Sequence, residues 1–182
     1  MPDANVMLRE DHRKVKELFR KFESTEDTQE KKAIADTAIL ELDIHARLEE
    51  EIYYPAVRKM SDDIDEIMNE AEEEHHVVEE LMKELLQMKA DDPMFTAKFT
   101  VMSENVEHHI DEEESEMLPK AAELGRETME DLGSRMEQRK QELMSAAASS
   151  SRGGRRTNGS RSSSSRSTSR AKASTSRRSK SK

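Results

Sequence analysis

Two strings in this chain carry residues able to grip metal ions: His45-Ala46-Arg47-Leu48-Glu49-Glu50-Glu51-Ile52-Tyr53-Tyr54-Pro55 and His109-Ile110-Asp111-Glu112-Glu113-Glu114-Ser115-Glu116-Met117-Leu118-Pro119. Aligned on each other, they match at the histidine, at the glutamates four and five residues later, and at the closing proline. On an α-helix, positions i and i+4 share one face. His45 with Glu49, and His109 with Glu113, are therefore two pairs of imidazole and carboxylate, each able to hold an ion.

The duplication extends beyond these strings. Placing His12 on His75 puts Val15 on Val78, Leu18 on Leu81, Phe19 on Met82 and Phe22 on Leu85. Each half then offers two histidines and one glutamate, and two αα-hairpins of this kind pack as a four-helix bundle with both triplets facing the axis. Four imidazoles and two carboxylates projected inward suit a pair of first-row transition ions, with the carboxylates bridging and coordination positions left for water, dioxygen or peroxide. Taken singly, a His-x-x-x-Glu in a glutamate-rich helix reads as a solvated pair, and His12 as a satisfied core residue. Recurrence at matching points in both halves is what favours ligation.

His75-His76 and His108-His109 are doublets, and helical phase separates their members. His75 runs with Ala71, Val78, Met82 and Leu85; His109 runs with Met102, Val106 and Met117. These two are assigned inward, and His76 and His108 to solvent or to positions supporting the ligands. Glu50, Glu51, Glu112 and Glu114 read as solvated acids, and the methionine stripes as adaptable core.

The elements that must position these residues follow from apolar periodicity. A first helix is expected over Asp3 to Phe22, with Val6, Leu8, His12, Val15, Leu18, Phe19 and Phe22 at helical spacing. A second starts near Gln29 and should kink or end near Pro55, which lacks a backbone donor. Ser61 and Asp62 are potential caps for a third helix. Ala90-Asp91-Asp92-Pro93 forms the next turn, and the fourth helix stops near Gly125. A fifth helical pattern, carrying Met129, Leu132, Met136, Leu143 and Met144, packs across the bundle or fades into the tail. The expected units are a bundle over 1–125, an additional helix over 126–147 and a tail over 148–182.

Composition agrees with an all-α chain: glycine, proline and aromatics are scarce, while 38% of residues are charged. Cysteine is absent, which excludes disulfides and thiolate metal sites. No apolar run approaches the ~18 residues of a membrane span, so the cytoplasm is expected and a membrane is not. The net charge of −10 hides a split. Residues 145–182 hold eight arginines, three lysines and no acid, so +11 there leaves −21 on the other 144 residues. Residues 149–182 have almost nothing apolar to bury and are expected to be disordered. Such a tail could neutralise phosphates of nucleic acid or another polyanion without reading sequence, or serve only as a solubilising extension.

The ordered set His12, His45-x-x-x-Glu49, His75 and His109-x-x-x-Glu113, with its two closing prolines, resembles the hemerythrin-like HHE cation-binding domain over about residues 4 to 125. That resemblance implies an up-down-up-down four-helix bundle with a non-haem centre of two iron ions. His12, His45 and Glu49, and His75, His109 and Glu113, are its implied ligands, with both glutamates bridging. The chain departs from respiratory hemerythrins at Glu79, where they carry a histidine, and in having His-x-x-x-Glu where they have His-x-x-x-x-Asp. Both departures argue against simple reversible oxygen carriage. Glu79 and Tyr53 stand as candidate extra ligands, with packing or supporting roles as the alternative.

Donor type alone does not separate iron from manganese or zinc. Three function classes follow. One is a metal-binding module that binds or senses dioxygen, nitric oxide or peroxide, or holds iron. Another is an oxidoreductase that consumes peroxide or oxidises ferrous iron. The third is a metal sensor tethered to nucleic acid by the basic tail. No acyl-transfer triad, phosphate loop or dinucleotide fingerprint is present.

Overall fold

Aspartates start the first two helices. The Asp3 carboxylate accepts from the Val6 amide at the head of α1 (Ala4–Ser24), and Asp27 Oδ1 accepts from the amides of Gln29 and Glu30 at the head of α2 (Thr28–Leu48). Each side chain thus satisfies amides that an α-helix leaves unpaired at its first turn. A computed structural model describes residues 2–59 and 64–153, with side chains to Ser149. The suggested caps Ser61 and Asp62, and the basic stretch 154–182, lie outside the described residues.

Pro55 does not end its helix. A π turn, Glu49–Tyr53, follows α2, and the short α3 (Tyr54–Val57) continues from it with Pro55 in its first turn. The Tyr54 amide reaches back five residues to the Glu49 carbonyl. The widened turn restarts the ladder just before the proline, at a position where a missing N–H goes unnoticed. The second motif repeats this. After α4 (Asp65–Gln87) and α5 (Phe95–Glu112) comes a π turn, Glu113–Met117, and then α6 (Leu118–Ala121) with Pro119 in its first turn. A 3-10 turn, Ala122–Leu124, ends at Gly125, whose φ of +86° suits a residue without Cβ. α7 (Arg126–Gly153) follows.

α1 pairs with α2 and α4 with α5, and the two hairpins meet along α1–α5 and α2–α4, giving an all-α up-down-up-down bundle. α7 lies outside it, against α1, α2 and the first π turn, and buries Met129, Leu132 and Met136. Val6 and Met144, both on the apolar patterns read from sequence, are 53% and 44% exposed. Among the described residues no helix is long and apolar enough to cross a membrane.

The core is split in two. Leu8, Leu48, Tyr53, Met68, Leu118 and the α7 residues form one apolar cluster. Val15, Phe19, Phe22, Leu42, Phe99 and Met102 form the other, where Phe22 stacks on Phe99 with centroids 3.8 Å apart. Between them each helix changes chemistry. His12 lies between Leu8 and Val15, His45 between Leu42 and Leu48, His75 between Ala71 and Val78, and His109 between Val106 and Met117. The two apolar layers fix the height at which the four helices present their imidazoles.

Candidate metal centre

All six residues singled out by spacing converge in this polar layer. His12, His45, His109, Glu49 and Glu113 are buried, and the His75 side chain is 11% exposed. The Nε2 atoms of His12 and His45 are 3.3 Å apart, and those of His75 and His109 3.2 Å apart. Glu49 stands between the pairs, with Oε1 3.2 Å from His45 Nε2 and Oε2 3.4 Å from His75 Nε2. Glu113 reaches across the bundle to place Oε2 3.0 Å from His12 Nε2. Two overlapping donor sets result, His12–His45–Glu49–Glu113 and Glu49–His75–His109, each with one donor atom per residue lying within 4.8 Å of the others. Glu49 belongs to both, the geometry a bridging carboxylate needs.

Each imidazole turns its other nitrogen to a carboxylate. His12 Nδ1 is 2.8 Å from Glu114, His75 Nδ1 3.2 Å from Glu50 and His109 Nδ1 2.8 Å from Glu74, while His45 Nδ1 faces Asp11 at 3.9 Å. An ionised carboxylate only accepts, so Nδ1 donates in the three hydrogen bonds, which leaves Nε2 as the nitrogen of each ring that faces the centre. Histidines that ligate metals are oriented by this kind of outer partner.

Glu50 and Glu114, read from sequence as solvated, are partly exposed and also reach a ring, while Asp11 and Glu74 had no role in that reading. Their signal was adjacency: Asp11-His12 matches Glu74-His75, and Glu49-Glu50 matches Glu113-Glu114. Glu51 and Glu112 are also partnered, with Arg139 at 2.7 Å and His108 at 3.3 Å.

His76 and His108 lie outside the cluster and are exposed, as helical phase predicted. Glu79 is exposed and paired with Lys83 at 2.9 Å. Tyr53 donates its hydroxyl to Asn5 Oδ1 at 2.6 Å, so that group is engaged with α1. Neither supplies a donor to the two sets. Its neighbour Tyr54, which spacing did not single out, stacks on His75 with centroids 5.8 Å apart.

Electrostatics without an ion are strained. Burial works against a charged His45, but Glu49, Asp11 and Glu113 outweigh it and raise its pKa to about 10. Burial likewise opposes ionisation of Glu49, yet His45, His75 and His109 hold its carboxyl well below the usual range. Glu113 is pushed up by burial and by repulsion from Glu49, only partly offset by His12 and His45. Buried side-chain atoms without a hydrogen-bond partner, among the described residues, are His45 Nδ1, both oxygens of Glu49 and Glu113, and the Tyr54 hydroxyl. Glu113 Oε2 touches His12 without hydrogen-bond geometry. Such atoms are costly to leave unmet, and their gathering in one layer fits a bound cation. A cavity of about 360 Å³ adjoins the layer, lined by Val15, Leu42, Val78, Met82 and Val106, by His45, His75 and His109, and by acids that include Glu50, Glu72 and Glu74.

The family profile described as Hemerythrin HHE cation binding domain matches residues 3–121. An uncharacterised protein of Mycobacterium tuberculosis is 29% identical over 144 residues, 78% of this chain and 87% of that protein. An uncharacterised hemerythrin-like protein of Schizosaccharomyces pombe is 28% identical over 110 residues, 60% of this chain and 54% of its own length. The crystal structure of a Hemerythrin HHE cation binding domain-containing protein from Mycobacterium kansasii superposes with a TM-score of 0.73 at 29% identity, covering 88% of this chain and 96% of that one.

Proposed function

We propose, since this chain belongs to the hemerythrin HHE cation-binding domain family, that it holds two non-haem iron ions and uses them to bind or sense dioxygen, nitric oxide or peroxide. The observation that carries this is the convergence of four imidazole Nε2 atoms and two buried carboxylates without hydrogen-bond partners between two apolar layers. His12, His45, Glu49 and Glu113 would hold one ion, and His75 and His109, with the shared Glu49, the other. Glu114, Asp11, Glu50 and Glu74 keep the rings oriented, and the 360 Å³ cavity leaves room for a small molecule beside the donors. Bound iron would supply Lewis acidity and one-electron redox chemistry.

Metal quantitation with an absorption spectrum, before and after reduction and re-exposure to air, tests this reading. His45→Ala with His109→Ala should lose the metal while keeping helicity; undiminished metal in that variant refutes the assignment. The roomy cavity also favours a second reading, an oxidoreductase that consumes peroxide. Turnover of hydrogen peroxide above that of free iron by the loaded protein selects it, and turnover no faster than free iron leaves binding or sensing. The +11 charge of residues 145–182 supports a third property, salt-dependent association with nucleic acid through 149–182.

A further inference from the structure

α7 carries one charge where its pattern calls for an apolar side chain. Met129, Leu132 and Met136 are buried in the first apolar cluster, and Leu143 packs against its edge. Lys140 lies four residues after Met136 and three before Leu143, on the same helical stripe. Its ammonium meets Asp11 Oδ1, the two side chains being 18% and 11% exposed. Asp11 breaks its own stripe in the same way, standing among the buried Leu8, His12 and Val15 of α1. A largely desolvated ion pair adds little to docking that an apolar pair on these stripes would not. Stability alone therefore does not call for it.

Behind Asp11 stands the metal centre. The second carboxylate oxygen, Oδ2, is 3.9 Å from His45 Nδ1, beyond hydrogen-bond distance, and that nitrogen is buried without a partner. The other hairpin is arranged differently. Glu74 is the counterpart of Asp11, and it is paired with no lysine or arginine among the described residues. Its Oε2 is 2.8 Å from His109 Nδ1. Two halves alike in sequence thus differ at one outer acid: α7 holds the acid of His45, while the acid of His109 is left to its ring.

We propose that Lys140 is a positioning residue of the centre, holding Asp11 off His45 and so raising the reduction potential of the bound metal. This rests on the reading that the centre holds iron. A carboxylate hydrogen-bonded behind a ligating imidazole makes that ring a stronger donor, which favours the more oxidised ion. An ammonium on the carboxylate draws it from the ring and offsets its charge. Both effects act in one direction, towards the reduced ion. α7 lies outside the bundle, yet through this contact it distinguishes the set His12–His45–Glu49–Glu113 from the set Glu49–His75–His109.

The experiment follows the absorption of the iron-loaded protein through an anaerobic reductive titration and reads the midpoint potential. Lys140→Met should lower it by about 60 mV, a tenfold change in a one-electron equilibrium and the lower end for a changed outer partner. Lys140→Gln, closer to lysine in polarity, should lower it as far. Lys140→Arg keeps the charge and should restore the potential of the unmodified chain. In an Asp11→Asn background, Lys140→Met should shift it far less, since no carboxylate remains to be held. Arg139→Met removes the ion pair from α7 to Glu51 at 2.7 Å without touching Asp11, and should leave the potential unmoved. An unchanged potential in both Lys140→Met and Lys140→Gln overturns the role of Lys140 while leaving the centre in place. A fall of equal size in Arg139→Met, or a full shift in the Asp11→Asn background, does the same. Failure of the unmodified chain to retain iron removes the centre and this role together.

Discussion

Replacing Glu113 by glutamine should have opposite effects on the metal-free and the metal-loaded protein. The Glu113 side chain is fully buried, its oxygens lack hydrogen-bond partners, and burial with the nearby Glu49 pushes its pKa up. A buried polar group in that state costs about 1–3 kcal/mol, more when charged. Glutamine keeps the shape and removes the charge, so the metal-free variant should gain about 1–3 kcal/mol. At roughly 2–4 °C per kcal/mol for a domain of this size, its melting temperature should rise by about 2–12 °C.

With iron the sign reverses. An ion present at a thousand times its Kd stabilises by about 4 kcal/mol per site. The set His12–His45–Glu49–Glu113 loses its second carboxylate in the variant. Most of one ion's contribution should disappear, and the iron-induced rise in melting temperature should shrink by roughly 10 °C. Thermal melts followed by circular dichroism, with chelator and with anaerobic ferrous iron, provide both numbers. If the variant melts lower without metal and still shows the full iron-induced rise, Glu113 is a structural acid and the assigned role is wrong.

Three further perturbations test other parts of the molecule. In metal-free protein His45 is raised from 6.5 to about 10, so the stability it contributes is complete below about 6.5 and is lost as pH rises towards about 10. The urea midpoint should therefore fall between pH 6 and pH 9, and less steeply in His45→Gln; a midpoint that climbs over that range contradicts the placement. At Gly133 an added Cβ would sit 2.0 Å from the Pro2 carbonyl oxygen and 3.0 Å from the Ala4 amide nitrogen. Gly133→Ala should cost about 1–3 kcal/mol by overpacking and speed hydrogen exchange in the first turn of α1, whereas an unchanged urea midpoint would show that α7 does not dock there. Deleting residues 149–182 should abolish salt-dependent retention of duplex DNA, and DNA binding that survives the deletion removes the tail from consideration.

The donors were legible in the sequence because two independent regularities coincide on them. The i, i+4 spacing puts His45 with Glu49 and His109 with Glu113, and the offset between halves selects His12 and His75. Helical phase then places His75 and His109 inward and His76 and His108 outward, because each inner member shares its stripe with buried residues such as Val78 and Val106. The outer carboxylates were not legible by the same means. In a chain with 38% charged residues, a glutamate that orients an imidazole has the same local pattern as one in water. Only the crossing of the helices, which periodicity does not encode, brings Glu114 to His12 and Glu50 to His75. The proline effect was half legible: the missing donor was evident, but a π turn and a kink satisfy it equally well on paper.

The adjacency of the two glutamates in each motif gives the duplication a physical consequence. Neighbouring residues on a helix point about 100° apart, so Glu49 faces the axis while Glu50 faces the adjoining α4. The same holds for Glu113 and Glu114, the latter meeting α1. His75 of the second hairpin is therefore oriented by the first, through Glu50, and His12 of the first is oriented by the second, through Glu114. His45 and His109, by contrast, face Asp11 and Glu74 of their own hairpins. Each hairpin alone thus possesses two imidazoles of which only one has its carboxylate. The complete set of oriented donors comes into being when the hairpins dock, and the apolar clusters above and below that layer supply the free energy for docking. Formation of the centre and completion of the bundle are in this sense one event. The metal-free chain is consequently held together against its own buried charge by the two apolar layers.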